Sequence, residues 1–230
     1  MPNRKFTRNT ALRIGVQTLE AIRELHSLGY ISRDVKPGNF GPGTRENRQH
    51  KTIFMFDFGL ARKHSDKNGN IVPQRKDAGW RGTSRYGSLE AHQRRDLGRR
   101  DDVESWFYML VEVTKGTLPW RLVPERENVH KAKKTARESG GRKMFLYDTP
   151  KVYDEFLTKI DSMSYESEPD YGYFIKELKE IAKDAHLKDS EQFDWDDDNS
   201  TRSTNEVKST ASYSEEDKNK EGSDNKHLHA

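Results

Sequence analysis

Residues 31–40 read ISRDVKPGNF, and residues 56–59 read FDFG. Between them the two runs carry a carboxylate (Asp34), an ammonium (Lys36), a carboxamide (Asn39) and a second carboxylate (Asp57). Just upstream, Leu12, Val16, Leu19, Ile22 and Leu25 recur at three- and four-residue steps, so residues 10–28 are expected to form a helix with one apolar stripe. Thr10 is suited to cap its start and Gly29 to end it. Tyr30 and Ile31, and then residues 52–56, read as short strands, because β-branched and aromatic side chains favour an extended backbone. The two polar runs therefore sit on turns beside short strands, immediately after a helix.

Further along, residues 61–101 are polar, basic and glycine-bearing, and read as a long irregular segment with a small helix near residues 90–94. Long structureless segments inside a compact domain are usually functional. Residues 102–115 give the strongest helix: Asp101 and Asp102 suit its positive end, and Gly116 follows as a stop. Val103, Trp106, Phe107, Leu110, Val111 and Val113 make it apolar nearly all round, which predicts a central, buried helix. Two more helices are expected near residues 152–163 and 171–185, the second started by Pro169 and Asp170. The fold class expected is mainly α, with short β-hairpins beside the two polar runs.

Charged residues make up 34% of the 230 residues and hydrophobic ones 31%, which is thin for a buried core if spread evenly. They are not spread evenly. Apolar periodicity fills residues 10–187, whereas residues 188–230 hold few groups that could offset the entropy of ordering and are expected to be a disordered polar tail. The net charge of +3 is small for a dedicated nucleic-acid binder, and the basic clusters at residues 94–100 and 131–142 lack interleaved aromatic stacking platforms. No cysteine is present, which rules out disulfides and thiolate metal sites within the chain. With neither a membrane-length apolar run nor a secretory signal in the sequence, a cytoplasmic or nuclear location is expected.

The four polar side chains suggest a chemistry. A carboxylate at Asp34 can take a proton from an attacking hydroxyl, and Lys36, two residues on, can meet phosphoryl oxygens. Asn39 and Asp57 offer a neutral and a charged oxygen, the ligands a hard magnesium ion takes, and Gly59 lets the chain turn sharply. Such a set is what phosphoryl transfer from a magnesium nucleotide requires of one half of a site.

At this point the sequence resembles a known family. Arg33-Asp34 with Lys36 and Asn39, and Asp57-Phe58-Gly59, match the catalytic loop and metal motif of eukaryotic protein kinases. The runs KPGNF (36–40), DFGLAR (57–62), GWRGTSRYGS (79–88), RRDDVESWFYMLVE (99–112), GTLPWR (116–121) and PDY (169–171) resemble the casein kinase 1 group, most of all its tau-tubulin kinase branch. The resemblance implies a kinase C-lobe over residues 1–187, with ATP and Mg2+ as cofactors and serine or threonine of acidic or already phosphorylated proteins as substrate. It implies Asp34 as catalytic base, Lys36 as the phosphate-contacting lysine, and Asn39 and Asp57 as metal ligands. Thr83 would bridge to Asp34 and Lys36, Asp102 would anchor the catalytic-loop backbone, and Arg33, Phe58 and Gly59 would support the site. Arg85, with Arg81, Lys76 and residues 131–137, would form a substrate anion site.

The chain also departs from the family. Ser32 replaces the usual catalytic-loop histidine, which is expected to loosen Phe58; Ser88-Leu89-Glu90 replaces the usual Ala-Pro-Glu. Gly41 stands where a larger apolar side chain normally floors the adenine site, and Phe56 is bulkier than the usual aliphatic, so weaker nucleotide binding is expected. No glycine-rich phosphate loop with its strand lysine is legible before Ile31, so the N-terminal β-lobe is expected to be absent and the face toward it to be exposed to a partner. A non-catalytic, pseudokinase-like module that binds acidic or phosphorylated partners is the alternative reading.

Overall fold

The computed structural model describes residues 5–188 and 190–196. Residues through Glu191 form one compact unit; the second begins at Gln192. In the described part of the second unit, Phe193 N donates to Asp196 Oδ2 at 3.0 Å and the Phe193 and Trp195 rings stack at 4.2 Å. Most of the expected disordered tail, from residue 197 on, lies outside the described residues.

The first unit opens with α1 (Arg8–Ser27), followed by β1 (Tyr30–Ile31), a 3-10 turn (Pro37–Asn39), β2 (Phe40–Pro42), β3 (Ile53–Met55) and β4 (Arg62–Lys63). Then come α2 (Leu89–His92), α3 (Arg99–Lys115), α4 (Arg126–Thr135), α5 (Ser139–Phe145), α6 (Val152–Asp161) and α7 (Tyr171–Asp184). The strands form two antiparallel ribbons, β1 with β4 and β2 with β3. The expected mainly helical class is therefore present with small antiparallel ribbons; only β2 and β3 are consecutive strands, and β1 and β4 pair across the segment that contains them. No helix among the described residues is long and apolar enough to cross a membrane.

Several boundaries differ from the sequence reading. α1 is capped by Thr7, whose Oγ1 accepts from Thr10 N at 3.3 Å, so Thr10 is a capped residue and not the cap. α3 starts three residues before Asp102, because Asp101 reaches back and its Oδ2 accepts from Gly98 N at 2.8 Å. Gly116 ends it in the left-handed conformation, φ 87°, with its N–H on the Glu112 carbonyl. The basic run at residues 131–142, whose first part is expected in the substrate anion site, spans the end of α4 and the start of α5. Their apolar residues are too few to raise a legible stripe, and buried Val129, Lys133 and Phe145 hold them in place.

The core is centred on α3, as its all-round apolar surface requires. α1 packs on α3 and α7, and α6 packs on α3. Trp106, fully buried, donates from Nε1 to Gly15 O at 3.0 Å and to Thr18 Oγ1 at 3.2 Å, and its ring meets Phe174 edge-on at 5.8 Å. On the next faces of α3, Phe107 meets Phe145 and Tyr153, and Tyr108 meets Trp120. Gly15 lets α1 and α3 approach: a Cβ there would lie 2.6 Å from Leu110 Cδ1.

Two buried histidines tie stability to pH. His64 packs edge-on against Tyr165 at 5.1 Å, and neither ring nitrogen has a hydrogen-bond partner among the described residues. Burial, then the nearby Arg99 charge, pushes it down to about 4. His92 stacks on His130 at 5.3 Å, and burial followed by the Lys133 charge pushes it down to about 3.

Gly15→Val is expected to overpack the α1–α3 crossing and cost about 1–3 kcal/mol in urea unfolding; an unchanged midpoint would mean the helices have room to spare. For the histidines the unfolded state binds more protons between about pH 6.5 and the lowered native values, so stability is full above that window and falls with pH inside it. His64→Leu removes one such group without leaving a hydrogen bond unmade. It is expected to recover on the order of 1–2 kcal/mol of the stability lost between pH 7 and 5; a pH slope identical to that of the parent protein would reject the assignment.

Candidate active site

The ISRDVKPGNF turn is fixed from below by α3. Asp102, buried in the first turn of that helix, accepts from Ser32 N at 2.6 Å and Arg33 N at 2.8 Å, one on each oxygen. His26 of α1 meets the same carboxylate through Nε2 at 2.9 Å, while its Nδ1 meets Tyr171 Oη at 2.6 Å. Three helices thus converge behind two backbone amides. Their grip holds Arg33 at φ 66°, a conformation that costs a non-glycine residue about 1–3 kcal/mol and persists only where its surroundings impose it. Ser32 fills the histidine position by hydrogen bonding: its Oγ accepts from Asp34 N at 3.4 Å.

Asp34 then emerges into a shell of donors. Its Oδ1 accepts from Thr83 N at 3.0 Å and from Thr83 Oγ1 at 2.9 Å. Its Oδ2 meets Lys36 Nζ at 2.6 Å, and that ammonium also reaches Thr83 Oγ1 at 3.3 Å. Asn39 Nδ2 donates to the Asp34 carbonyl at 2.9 Å, which orients the amide and leaves Oδ1 as its acceptor end. Gly82 makes the approach of Thr83 possible: its φ is +90°, and a Cβ there would lie 2.7 Å from Arg33 O.

Asp57 is brought near Asn39 through the backbone. Phe56 N donates to Asn39 O at 2.8 Å, which sets the end of β3 beside Asn39. Asp57 follows at φ 57°, and its Oδ1 accepts from Gly59 N at 3.1 Å in a tight turn. Arg33 Nε donates to Leu60 O at 2.8 Å and ties this turn to the first loop. Asp34, Lys36, Asn39 and Thr83 therefore join through side chains, and Asp57 through the backbone. Among the described residues no three His, Cys, Asp or Glu side chains form a cation cage. Two protein oxygens, one neutral and one charged, suit a magnesium ion that takes its remaining ligands from phosphate and water.

Around this centre lies a concentration of positive charge. Arg62 and Arg75 both pair with buried Asp96. Burial alone would raise Asp96, but the hydrogen bonds from Arg75 and Arg62 hold it below the usual carboxylate range. Arg33 is lowered by burial and then by Arg81, Arg62 and Arg75. Arg81 is exposed. Arg85 is tied to α3 and the turn beyond it, with Nη2 donating to Arg121 O at 3.2 Å and Nη1 3.8 Å from Glu112. Arg62, Arg75 and Asp96 escaped the sequence reading because no spacing announces that residues 62, 75 and 96 converge.

The segment carrying Thr83 and Arg85 rests on a support that the sequence also hid. Lys133 of α4 is 0% exposed. Its Nζ donates to Ser84 O at 2.8 Å and to Gly87 O, meets His92 Nε2 at 3.2 Å, and sits 4.7 Å from the Tyr108 ring centre. Trp120 Nε1 donates to Arg85 O at 2.8 Å. Arg137, the other cation expected to be free for anions, pairs with Glu104 and Asp161. Both expectations are corrected: Lys133 and Arg137 point into the fold because backbone carbonyls and buried carboxylates there need cations.

A sequence profile of the protein kinase domain matches residues 2–189. A Dictyostelium discoideum chain described as a probable serine/threonine-protein kinase is 35% identical over 192 residues, covering 84% of this chain and 38% of its own. The serine/threonine-protein kinase spe-6 of Caenorhabditis elegans is 40% identical over 197 residues, covering 84% and 52%. Another C. elegans chain, which carries a casein kinase I name, is 31% identical over 198 residues, covering 85% and 57%. This chain thus spans between 38% and 57% of the length of these relatives. With the profile matching most of its residues, the chain belongs to the protein kinase family.

Proposed function

We propose that the chain is the C-terminal lobe of a serine/threonine protein kinase of the casein kinase 1 group, in its tau-tubulin kinase-like branch. On this reading it takes part in transfer of the ATP γ-phosphate to serine or threonine of acidic or pre-phosphorylated proteins. The observation that carries the reading is the arrangement at Asp34, with one oxygen held by Thr83 and the other facing Lys36.

Asp34 orients the substrate hydroxyl and takes up its proton as the oxygen attacks. Thr83 keeps the carboxylate from rotating and joins the substrate segment to the catalytic loop. Lys36 lies where charge accumulates on the transferring phosphoryl oxygens. Asn39 and Asp57 would hold magnesium, which would supply positive charge to offset that of the nucleotide phosphates. Exposed Arg81, half-exposed Arg85 and the surplus of guanidinium over carboxylate around Arg33 support an acidic or phosphorylated peptide as substrate.

The second reading, a binding module for acidic or phosphorylated partners, is favoured by the exposure of Leu28, Tyr30, Phe54, Phe56 and Phe58, most of which lie on or beside the strands next to the site. Apolar surface of that kind invites a cover.

Both readings are open to one assay. With Mg-ATP and an acidic peptide, phosphate incorporation is expected to fall by about 10²–10⁴ in Asp34→Asn and at least comparably in Asp57→Asn. Equal incorporation by parent and variants would reject the catalytic reading. Phosphopeptide binding that survives Asp57→Asn but is lost in the Arg81→Ala/Arg85→Ala double variant would favour the binding module.

A further inference from the structure

The run PDY (169–171) lies far along the chain from Asp34, yet its residues deliver one hydroxyl to the joint beneath the Asp34 loop. Pro169 O accepts from Tyr171 N at 2.9 Å. Asp170 caps α7, its Oδ1 accepting from Tyr173 N at 2.9 Å. Tyr171 therefore stands at the start of α7, buried, with its ring tilted at 59° to the ring of His26 and its Oη 2.6 Å from His26 Nδ1. Tyr171 Oη makes no other hydrogen bond among the described residues.

The protons on this path can be placed from its far end. Ser32 N and Arg33 N are donors only, and the Asp102 carboxylate that takes both has only acceptors to offer. His26 Nε2, 2.9 Å from Asp102 Oδ2, therefore carries a proton. On a neutral imidazole this leaves Nδ1 as an acceptor and the Tyr171 O–H as its donor. Burial pushes the phenol above the ordinary tyrosine range, so the donor keeps its hydrogen. One hydroxyl on α7 thus fixes a ring on α1, the ring meets a carboxylate on α3, and the carboxylate holds the loop backbone.

We propose that Tyr171 is a positioning residue for phosphoryl transfer at Asp34, acting through the His26 ring, which its O–H keeps turned toward Asp102. The inference rests on the phosphotransfer reading above. Tyr171 itself meets neither Asp34 nor any of the other polar side chains that join it. Without its hydroxyl, Nδ1 of the buried histidine is left unpaired, and the ring is no longer fixed from both sides.

The test uses the full chain with Tyr171→Phe, which keeps the ring and removes only the hydroxyl, and Tyr173→Phe as a matched control. The Tyr173 hydroxyl belongs to the same turn of α7 but bonds Glu155. In the parent, nitrogen NMR is expected to show the His26 proton on Nε2 and a bare, hydrogen-bonded Nδ1. A proton on Nδ1 would overturn the inference, because the phenol would then be accepting. Amide exchange is followed at Ser32 and Arg33 and, for the core, at Trp106 and Leu110 of α3. Tyr171→Phe is expected to speed exchange at Ser32 and Arg33 about 5- to 150-fold relative to the core amides, whereas Tyr173→Phe leaves that ratio at the parent value. With Mg-ATP and an acidic peptide, Tyr171→Phe is expected to lower kcat by a factor between about 5 and 100 and to leave both KM values unchanged. An exchange ratio that Tyr171→Phe leaves unchanged, the same rise in Tyr173→Phe, or a parent-like kcat would each overturn the inference, because the hydroxyl would then serve only to dock α7. Failure of the underlying reading looks different: the parent would incorporate no more phosphate than Asp34→Asn, while the exchange ratio still responded to Tyr171. The inference then falls with that reading.

Discussion

The buried carboxylate of Asp102 is the constraint on which the site depends. It sits in the first turn of the most enclosed helix and accepts the amides of Ser32 and Arg33. A carboxylate at a helix N-terminus is favoured by the helix's own field, and two amides plus the His26 ring satisfy it without solvent. The result is a rigid joint between the hydrophobic core and the polar loop. Arg33 adopts its left-handed backbone there, and Asp34 is aimed at Thr83 and Lys36. Loss of that joint would leave Asp34, Lys36 and Asn39 on a mobile turn, with nothing to fix their separation from Thr83 and Asp57.

A second layer works from the opposite side. The segment bearing Thr83 lies against the Asp34 loop because Gly82 allows a contact that any side chain would block, and because Lys133 and Trp120 hold its carbonyls. Packing energy in the aromatic cluster around α3 is thereby converted into the position of one hydroxyl. The core and the site form a continuous chain of contacts from Phe145 through Trp120 to Arg85.

Much of this was legible in the sequence. α1, α3, α6 and α7 have apolar stripes that packing needs, and β1 and β3 carry β-branched or aromatic residues, whereas β2 and β4, with glycine, proline and charged residues, gave no strand signal. Asp34, Lys36 and Asn39 could be grouped because the run that carries them resembles a known family pattern, and their side chains do meet in the fold. What stayed hidden was long-range or compensated. α4 and α5 are short and basic, and their anchoring depends on a lysine and a phenylalanine whose partners lie elsewhere in the chain. Lys133 reads as a surface cation because burial of an ammonium requires acceptors that no local pattern reveals. Arg62 and Arg75 meet at Asp96 only in three dimensions. Gly41 and Phe56 look like two separate losses when judged one position at a time. Across the ribbon they are coupled, since a Cβ on Gly41 would lie 2.9 Å from Phe56 Cε2.

The enclosure of Lys133 has a chemical consequence. An amine must reach solvent to be acylated, methylated or attacked by a labelling reagent, and this one is sealed between two aromatic rings and two carbonyls. Among the described lysines it is the one whose reactivity measures how often the segment around residues 84–92 lifts away from α4. Any covalent mark found on it records a moment when that lid was raised.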